Sequence, residues 1–391
     1  MASLRDSWAV TQREVERWRR SPIYLVLMLL LPLLSFAFFA TLFHKGVAEG
    51  LPIAVVDEDH TSLSRSLVEM LSATPLAEVV YEPTSVMEAK RLMREGQIMA
   101  FVVVPDQFEA AIFANRQTAI HNFISGANLS INGLLAKDIQ VAAMTFIAGV
   151  EFQRLTQEGL PEQMALAEVM PIRLDTHTLF NPYLNYGYYL SPSFMPMMLL
   201  IFVVLATIFS IGVELKEGSA REWLTTARGN IEVALAGKLL PQTLLFSLVA
   251  LVMLAVISGV VATPFQGSVG LIIVATLLLV ASYQAIAIVI IALVANLRLS
   301  LSLGGGYSVL AFTFSGATFP VMAMWKPLQW LSRLFPFTYY TEISIDQLLR
   351  GTPALYSLPY LAAMALFLLL PLLALRRLKR VCNQPKFWGK S

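Results

Sequence analysis

The sequence predicts an α-helical membrane protein with six transmembrane helices and an external α/β (α+β) domain inserted between helices 1 and 2. Three observations predict it. A lone apolar segment, Ile23–Phe43, lies near the start. Residues 44–192 then read as ordinary globular sequence, and apolar segments return nearly to the end. Overall, 57% of residues are hydrophobic and only 14% charged, against about 25% charged in soluble domains.

Six segments reach the roughly 20 residues that a bilayer crossing needs: Ile23–Phe43, Ser193–Val213, Leu239–Ala262, Gly270–Ala295, Leu303–Met324 and Ala354–Leu375. None contains Asp, Glu, Lys, Arg or His. Pro32 and Pro196 are expected to kink the first two. The long segment ahead of Ile23 and the length of the apolar core favour a retained signal anchor over a cleaved signal peptide.

Orientation follows from the basic residues. Arg5, Arg13, Arg17, Arg19 and Arg20 precede the first span, and residues 376–391 form a basic tail without an acid. Six spans put both ends on one side, and Lys and Arg mark that side as cytoplasmic. The loop 214–238, with Lys216, Arg221, Arg228 and Lys238, then also faces the cytoplasm. Thr263–Val269, which is uncharged, and the insert 44–192 face outward.

The insert carries nine basic and seventeen acidic side chains, a net charge of −8 with histidine neutral. Strands are expected at Ile53–Asp57, Val79–Tyr81, Met99–Val104, Ala119–Ile124 and Ile172–Asp175. Helices are expected at Ser62–Ser72, capped by Ser62, at Ser85–Arg94 and at Leu129–Gln157. Alternation of this kind suggests a partly parallel sheet. Asp57, His60, Ser62 and Ser64 lie close in sequence but read as turn and cap residues, so no catalytic residue is assigned. The four histidines have no ligand spacing, so no metal site is expected. The one cysteine, Cys382, excludes an internal disulfide.

Within residues 1–22, Leu4, Trp8, Val15 and Trp18 form one stripe of an amphipathic helix expected at the cytoplasmic membrane surface. In the loop, a short helix over Ala220–Thr226 would expose Trp223 and Leu224 with no core to bury them, a face suited to a partner groove. Between 319 and 353, Pro320, Pro327 and Pro336 break any continuous helix. Broken backbone at membrane depth must be covered by protein or face water, so a re-entrant external helical pair is expected. Trp325, Trp330, Phe335, Phe337, Tyr339 and Tyr340 would fill its outer interface. Tyr283, Gln284, Asn296 and Thr313 are the candidate polar groups of a substrate path, although such groups more often bond neighbouring helices.

Glu217, Gly218, Ser219, Glu222, Leu224 and Thr226, followed by Gly237, Lys238 and Leu239, resemble the cytoplasmic motif of type-2 ABC exporter permeases. One extra residue separates Gly218 from Glu222, and Ala227 stands where proline is common. Ser315, Gly316, Phe319, Pro320, Met324, Leu328, Gln329, Leu331, Ser332, Pro336, Thr338 and Tyr339 resemble the same family's external signature. Ile345 and Asp346 replace the Arg-Gly of many members, so no arginine role is carried over. The layout, with Val55–Arg65 and Ala100–Pro105, resembles the YhhJ/YbhR-like branch of multidrug-exporter permeases.

The resemblance implies that Glu217, Gly218, Glu222, Trp223, Leu224 and Thr226 couple to a separate ABC ATPase subunit. It also implies a broken external segment built on Gly316, Phe319, Pro320, Pro327, Pro336 and Tyr339. The residues point the same way. The spans lack the ionisable groups of a proton-coupled carrier, and the string Gly229–Lys238 has seven residues between its glycines instead of the four of a P-loop. This chain is therefore expected to bind no cofactor and to be no enzyme, with ATP and Mg on the partner. The resemblance further implies that it would pair with a second permease copy or paralogue, sit in the lipid bilayer of a bacterial inner membrane, and engage a periplasmic adaptor protein; no nucleic acid is expected. The competing reading is a membrane-anchored receptor or assembly scaffold whose external domain binds a protein without transport.

Overall fold

A computed structural model describes residues 2–389, apart from 115, 128 and 173–176. It divides into two compact units, one from the chain up to Gly46 together with Thr178 onward, the other Val47–His177. The chain opens with α1 (Ala2–Arg20) and α2 (Pro22–Leu42). Pro32 sits in the first turn after a π-turn at Val26–Leu30. There the missing N–H and the widened turn accommodate each other without ending the helix.

The small unit contains β1 (Leu51–Asp57), α3 (Ser62–Ser72), β2 (Ala77–Tyr81), α4 (Val86–Arg94), β3 (Ala100–Val104), α5 (Phe108–Phe113), β4 (His121–Ile124), α6 (Leu129–Gln157) and α7 (Glu162–Val169). Its sheet has the order β2-β1-β3-β4, with β1 parallel to both neighbours and β4 antiparallel to β3. The central strands are apolar on both sides because both faces are covered, as parallel strands require. Val55 and Val102 meet α3 and α6 on one face, while Val56 and Phe101 lie with Ala89 and Leu92 of α4 on the other. Two details differ from expectation. Thr61, rather than Ser62, caps α3, its hydroxyl accepting from the Ser64 N–H in a reciprocal capping box. The strand expected at Ile172–Asp175 lies largely outside the described residues.

The larger unit continues with α8 (Tyr186–Lys216), α9 (Ala220–Thr226), α10 (Ile231–Gly259), α11 (Val269–Val294), α12 (Leu297–Thr313), α13 (Lys326–Ser332), α14 (Pro336–Ser344) and α15 (Ala354–Asn383). Pro196 lies inside α8, which remains continuous. α8 and α11 form the buried centre, and α2, α10, α12 and α15 pack around them.

Six helices among the described residues are long and apolar enough to cross a membrane: α2, α6, α8, α10, α11 and α15. The chain is a multi-pass membrane protein. Five of these match expected spans, and two points need correction. The span expected at Leu303–Met324 is the shorter α12 followed by irregular backbone, because Gly316 and Pro320 interrupt it. α6 has the length and apolarity of a span, yet Leu135, Ile139 and Phe146 bury one side of it against the sheet of the small unit.

The basic tail also differs from expectation. α15 runs to Asn383, with Leu378, Val381 and Cys382 fully buried. Arg377 donates to the carbonyls of Ala292 (2.9 Å) and Leu293 (2.6 Å) at the end of α11. A cation at a helix C-terminus satisfies carbonyls that have no intrahelical partner.

Candidate functional site

α1 is helical because Ala2–Arg20 contains no proline or glycine, and Arg17, Arg19 and Arg20 fall in its last turn, where the helix dipole favours cations. Its buried side is not the aromatic stripe. Val10, Thr11 and Glu14 are buried against α10, whereas Leu4 and Trp8 are exposed. Gly237 is the point of closest approach: a Cβ there would lie 2.5 Å from the Ser7 carbonyl oxygen and 2.6 Å from the Val10 Cβ. The Thr11 hydroxyl donates to the Gly237 carbonyl at 2.9 Å. Gly237→Val is therefore expected to lift α1 off α10, with an overpacking cost of about 1–3 kcal/mol. Limited proteolysis in detergent should then cleave α1 faster than in the parent protein.

Beneath this contact lies an ionic cluster. Lys238 Nζ, fully buried, pairs with the Glu14 carboxylate and with Glu214 Oε1 at 2.9 Å. Glu214 also receives Arg13 at 2.6 Å, Arg17 at 2.9 Å and the Ser219 hydroxyl at 2.5 Å. Glu14 accepts from Ser210 Oγ (2.7 Å), Trp18 Nε1 (3.2 Å) and Gln242 Nε2 (3.4 Å). Burial by itself lowers the Arg13 pKa, but the hydrogen bond and charge of Glu214, with Glu222 and Glu14, raise it above its ordinary value. The guanidinium thus stays charged across the accessible pH range. Buried charges are tolerated only when paired and hydrogen-bonded, and here three helices, α1, α8 and α10, supply the partners.

The loop helix α9 rests on this cluster. Gly218, with φ +75°, turns the chain out of α8. Trp223 is fully buried, its Nε1 donating to the Ala234 carbonyl at 3.2 Å and its ring lying 5.2 Å from Lys238 Nζ. Leu224 is also buried. The apolar face expected to await a partner groove is therefore covered by the protein's own core. Arg221, Glu222 and Thr225 remain exposed. Glu217 pairs with Arg17 at 3.3 Å and Glu222 with Arg13 at 3.7 Å, while Thr226 donates to the Glu222 carbonyl at 3.0 Å. From the chain's end, the Gly389 N–H reaches the Leu215 carbonyl at 3.1 Å.

The structure separates the candidate path residues. Tyr283 and Gln284 are buried in α11, Gln284 accepting from the Thr243 hydroxyl at 2.7 Å. Tyr283 faces Tyr307, with ring centroids 6.1 Å apart. Asn296 instead caps α12, its side chain accepting from the Leu299 N–H at 2.9 Å. Thr313 bonds its own helix at Val309. Asn296 is half-buried and Thr313 exposed.

The broken segment has the expected form of short helices. Gly316 follows the end of α12, Pro320 precedes a 3₁₀ turn, and Pro327 and Pro336 occupy the first turns of α13 and α14. Proline is favoured there because the first-turn N–H has no intrahelical acceptor. Phe319, Trp325 and Trp330 are exposed, and the Tyr339 hydroxyl donates to the Arg333 carbonyl. Phe335, Phe337 and Tyr340 are buried in the bundle, so the expected aromatic belt is only partly external. Asp346 accepts from Arg350 (3.2 Å) and Thr352 (3.3 Å), and Gln347 accepts from the Ser268 N–H at 2.8 Å. The Asp346 bonds are local, and the Gln347 contact clamps the segment to the turn between α10 and α11.

The cluster of Glu14, Glu214 and Lys238 is not legible from the sequence. Its members are far apart in the chain, and none lies inside an apolar window. The available signal is an acid on the Val10 side of α1, together with Glu214 and Lys238 directly abutting two spans.

The chain resembles the probable multidrug ABC transporter permease YbhR of Escherichia coli K12, at 22% identity over 340 residues. The match covers 86% of this chain and 88% of that protein. The permease of the same name from Escherichia coli O157:H7 matches with the same identity and coverage. The family model described as ABC-2 family transporter protein matches residues 22–376, from the start of α2 into α15 and including the loop helix and the broken segment, so the chain belongs to the ABC-2 family of membrane transporters.

Proposed function

We propose that this membrane permease is the transmembrane half of an ATP-binding cassette exporter, driven by a separate ATPase that docks on the exposed face of α9. The carrying observation is mechanical. α9 is anchored through Trp223 to Lys238, and Lys238 is bonded to Glu14 and Glu214. A push on Arg221 or Thr225 would therefore move α1, α8 and α10 as one body. A loop that only tethered two spans would need no buried tryptophan and no five-residue ionic cluster.

In this reading both termini and α9 are cytoplasmic, as the basic ends suggest, and the small unit faces outward. Two permease chains pair across the membrane. The substrate is amphiphilic or drug-like, consistent with apolar spans that carry no charged residue, and leaves toward the outside. A periplasmic adaptor would meet the small unit.

The test is charge reversal on the exposed face alone, because removal of α9 would also remove core residues. Arg221→Glu is expected to abolish co-purification of an ATPase with the full-length permease while leaving its thermal melting unchanged. Unaltered co-purification, with melting also unaltered, would rule out docking on this face.

A further inference from the structure

Within the small unit, two clefts of about 370 and 450 Å³ share Thr118, Ile120 and Ile147 as lining residues and so form one groove. It follows α6 from Ala136 to Glu151, a length of roughly 22 Å at 1.5 Å per residue. That exceeds the roughly 15 Å occupied by one acyl leaflet of a bilayer. Its walls are apolar: Leu67 and Leu71 of α3, Phe108 and Ile112 of α5, and Phe146 of α6. Ligand sites are typically apolar clefts of this volume with a few polar groups.

Thr118, Asn122 and Gln140 add uncharged polar groups, while the charged groups are unevenly placed. The 450 Å³ half is lined by no charged residue. The other half carries Glu151 and Arg116. Arg154 already neutralises Glu151 through two bonds, of 2.5 and 3.0 Å. Arg116 is exposed, and no acid among the described residues pairs with it. Among the described residues, the groove is thus a mainly apolar slot with Arg116 as its one unpaired cation, at one end.

We propose that this groove binds a single-chain amphiphile, its apolar tail along α6 and its anionic head beside Arg116. The charge placement selects the head, since a cationic one would meet Arg116, and the slot's length selects an extended chain. The net acidity of the small unit opposes anions only at long range, where salt screens it. The site rests on the groove itself and not on the exporter reading. Binding without any ATPase stimulation by the same compound would count against that reading and leave this one standing.

Full-length protein in phosphatidylcholine nanodiscs tests it. Cys382 is fully buried and silent toward thiol reagents, so Ala143→Cys places one fluorophore in the groove wall. Met87→Cys on α4, 71% exposed on the far side of the sheet, serves as control. Spin-labelled stearate is expected to quench the label at 143 saturably and the label at 87 not at all. Ile147→Glu should weaken this binding at least about tenfold by putting a charge in the slot. Arg116→Gln should weaken it roughly fivefold, the size of an exposed ion pair, and leave binding of the neutral stearyl ester unchanged. Unlabelled stearate and a monoacyl phosphate, run as competitors, assign the head as carboxylate or phosphate.

Quenching that never saturates, or that is equal at both labels, would show partition into lipid and overturn the proposal. So would an unaffected Ile147→Glu protein, or failure of both competitors to displace the probe. Cross-linking between copies through position 143 would show a second chain in the groove and would overturn it equally.

Discussion

Lys238→Met is expected to lower the stability of the full-length protein by about 3–5 kcal/mol, the usual cost of breaking a buried ion pair from one side. Lys238 is the only cation bonded to Glu14 among the described residues, and both side chains are buried. After the substitution Glu14 keeps Ser210, Trp18 and Gln242 as donors but faces Glu214 with no charge between them. The measurement is thermal melting in detergent, with aggregation as a second readout. Adding Glu14→Gln to Lys238→Met should restore much of the loss, because replacing both partners removes the uncompensated charge. If the double variant melts no higher than the single one, the penalty lies in Lys238's packing and not in the pairing.

Trp223→Ala is expected to destabilise by a similar amount, about 3–5 kcal/mol, as for other large aromatics removed from a core. It opens a cavity beneath α9, leaves the Ala234 carbonyl without its indole donor and removes the ring beside Lys238. Trp223→Phe should recover much of the packing but not the hydrogen bond. Arg221→Glu, two residues away on the opposite face, should leave melting untouched. This contrast separates what holds α9 in place from what α9 presents. If Trp223→Ala and Arg221→Glu both spare stability and both abolish ATPase association, the tryptophan is a contact residue and the buried geometry is wrong.

Local signals serve well wherever one segment determines its own structure. Helix α6 occupies Leu129–Gln157 as expected, since nothing in those residues breaks it. β1 and β3 declare themselves as continuous apolar runs ended by Asp57 and Pro105. Five spans are visible because lipid demands a long unbroken apolar stretch. The errors concern which surface a helix meets. Seven residues of α9 show a tryptophan and a leucine on one side but not whether α10 or another protein covers them. In α1 the large apolar Leu4 and Trp8 are exposed, and the side that the protein itself buries is marked only by the smaller Val10. Only the Gly237 contact, more than 200 residues downstream, decides which side is buried. Asn296 reads as a polar group in a membrane path because capping depends on φ and ψ at the α11–α12 corner, and a hydropathy window ignores both.

Helix α6 poses a problem for biogenesis. It is long and apolar enough to enter a bilayer, so during synthesis the insertion machinery meets it as it meets a true span. In the proposed topology α6 does not cross, and one additional crossing at that point would reverse the sidedness of every later helix. Lys137, Asp138, Glu151 and Arg154 within it raise the cost of that error. Asp138 is also engaged by the Leu76 N–H. The strands that will shelter Leu135, Ile139 and Phe146 all precede α6 in the chain. The docking surface is thus synthesised first, and the proposed topology depends on the sheet capturing the helix before the lipid does.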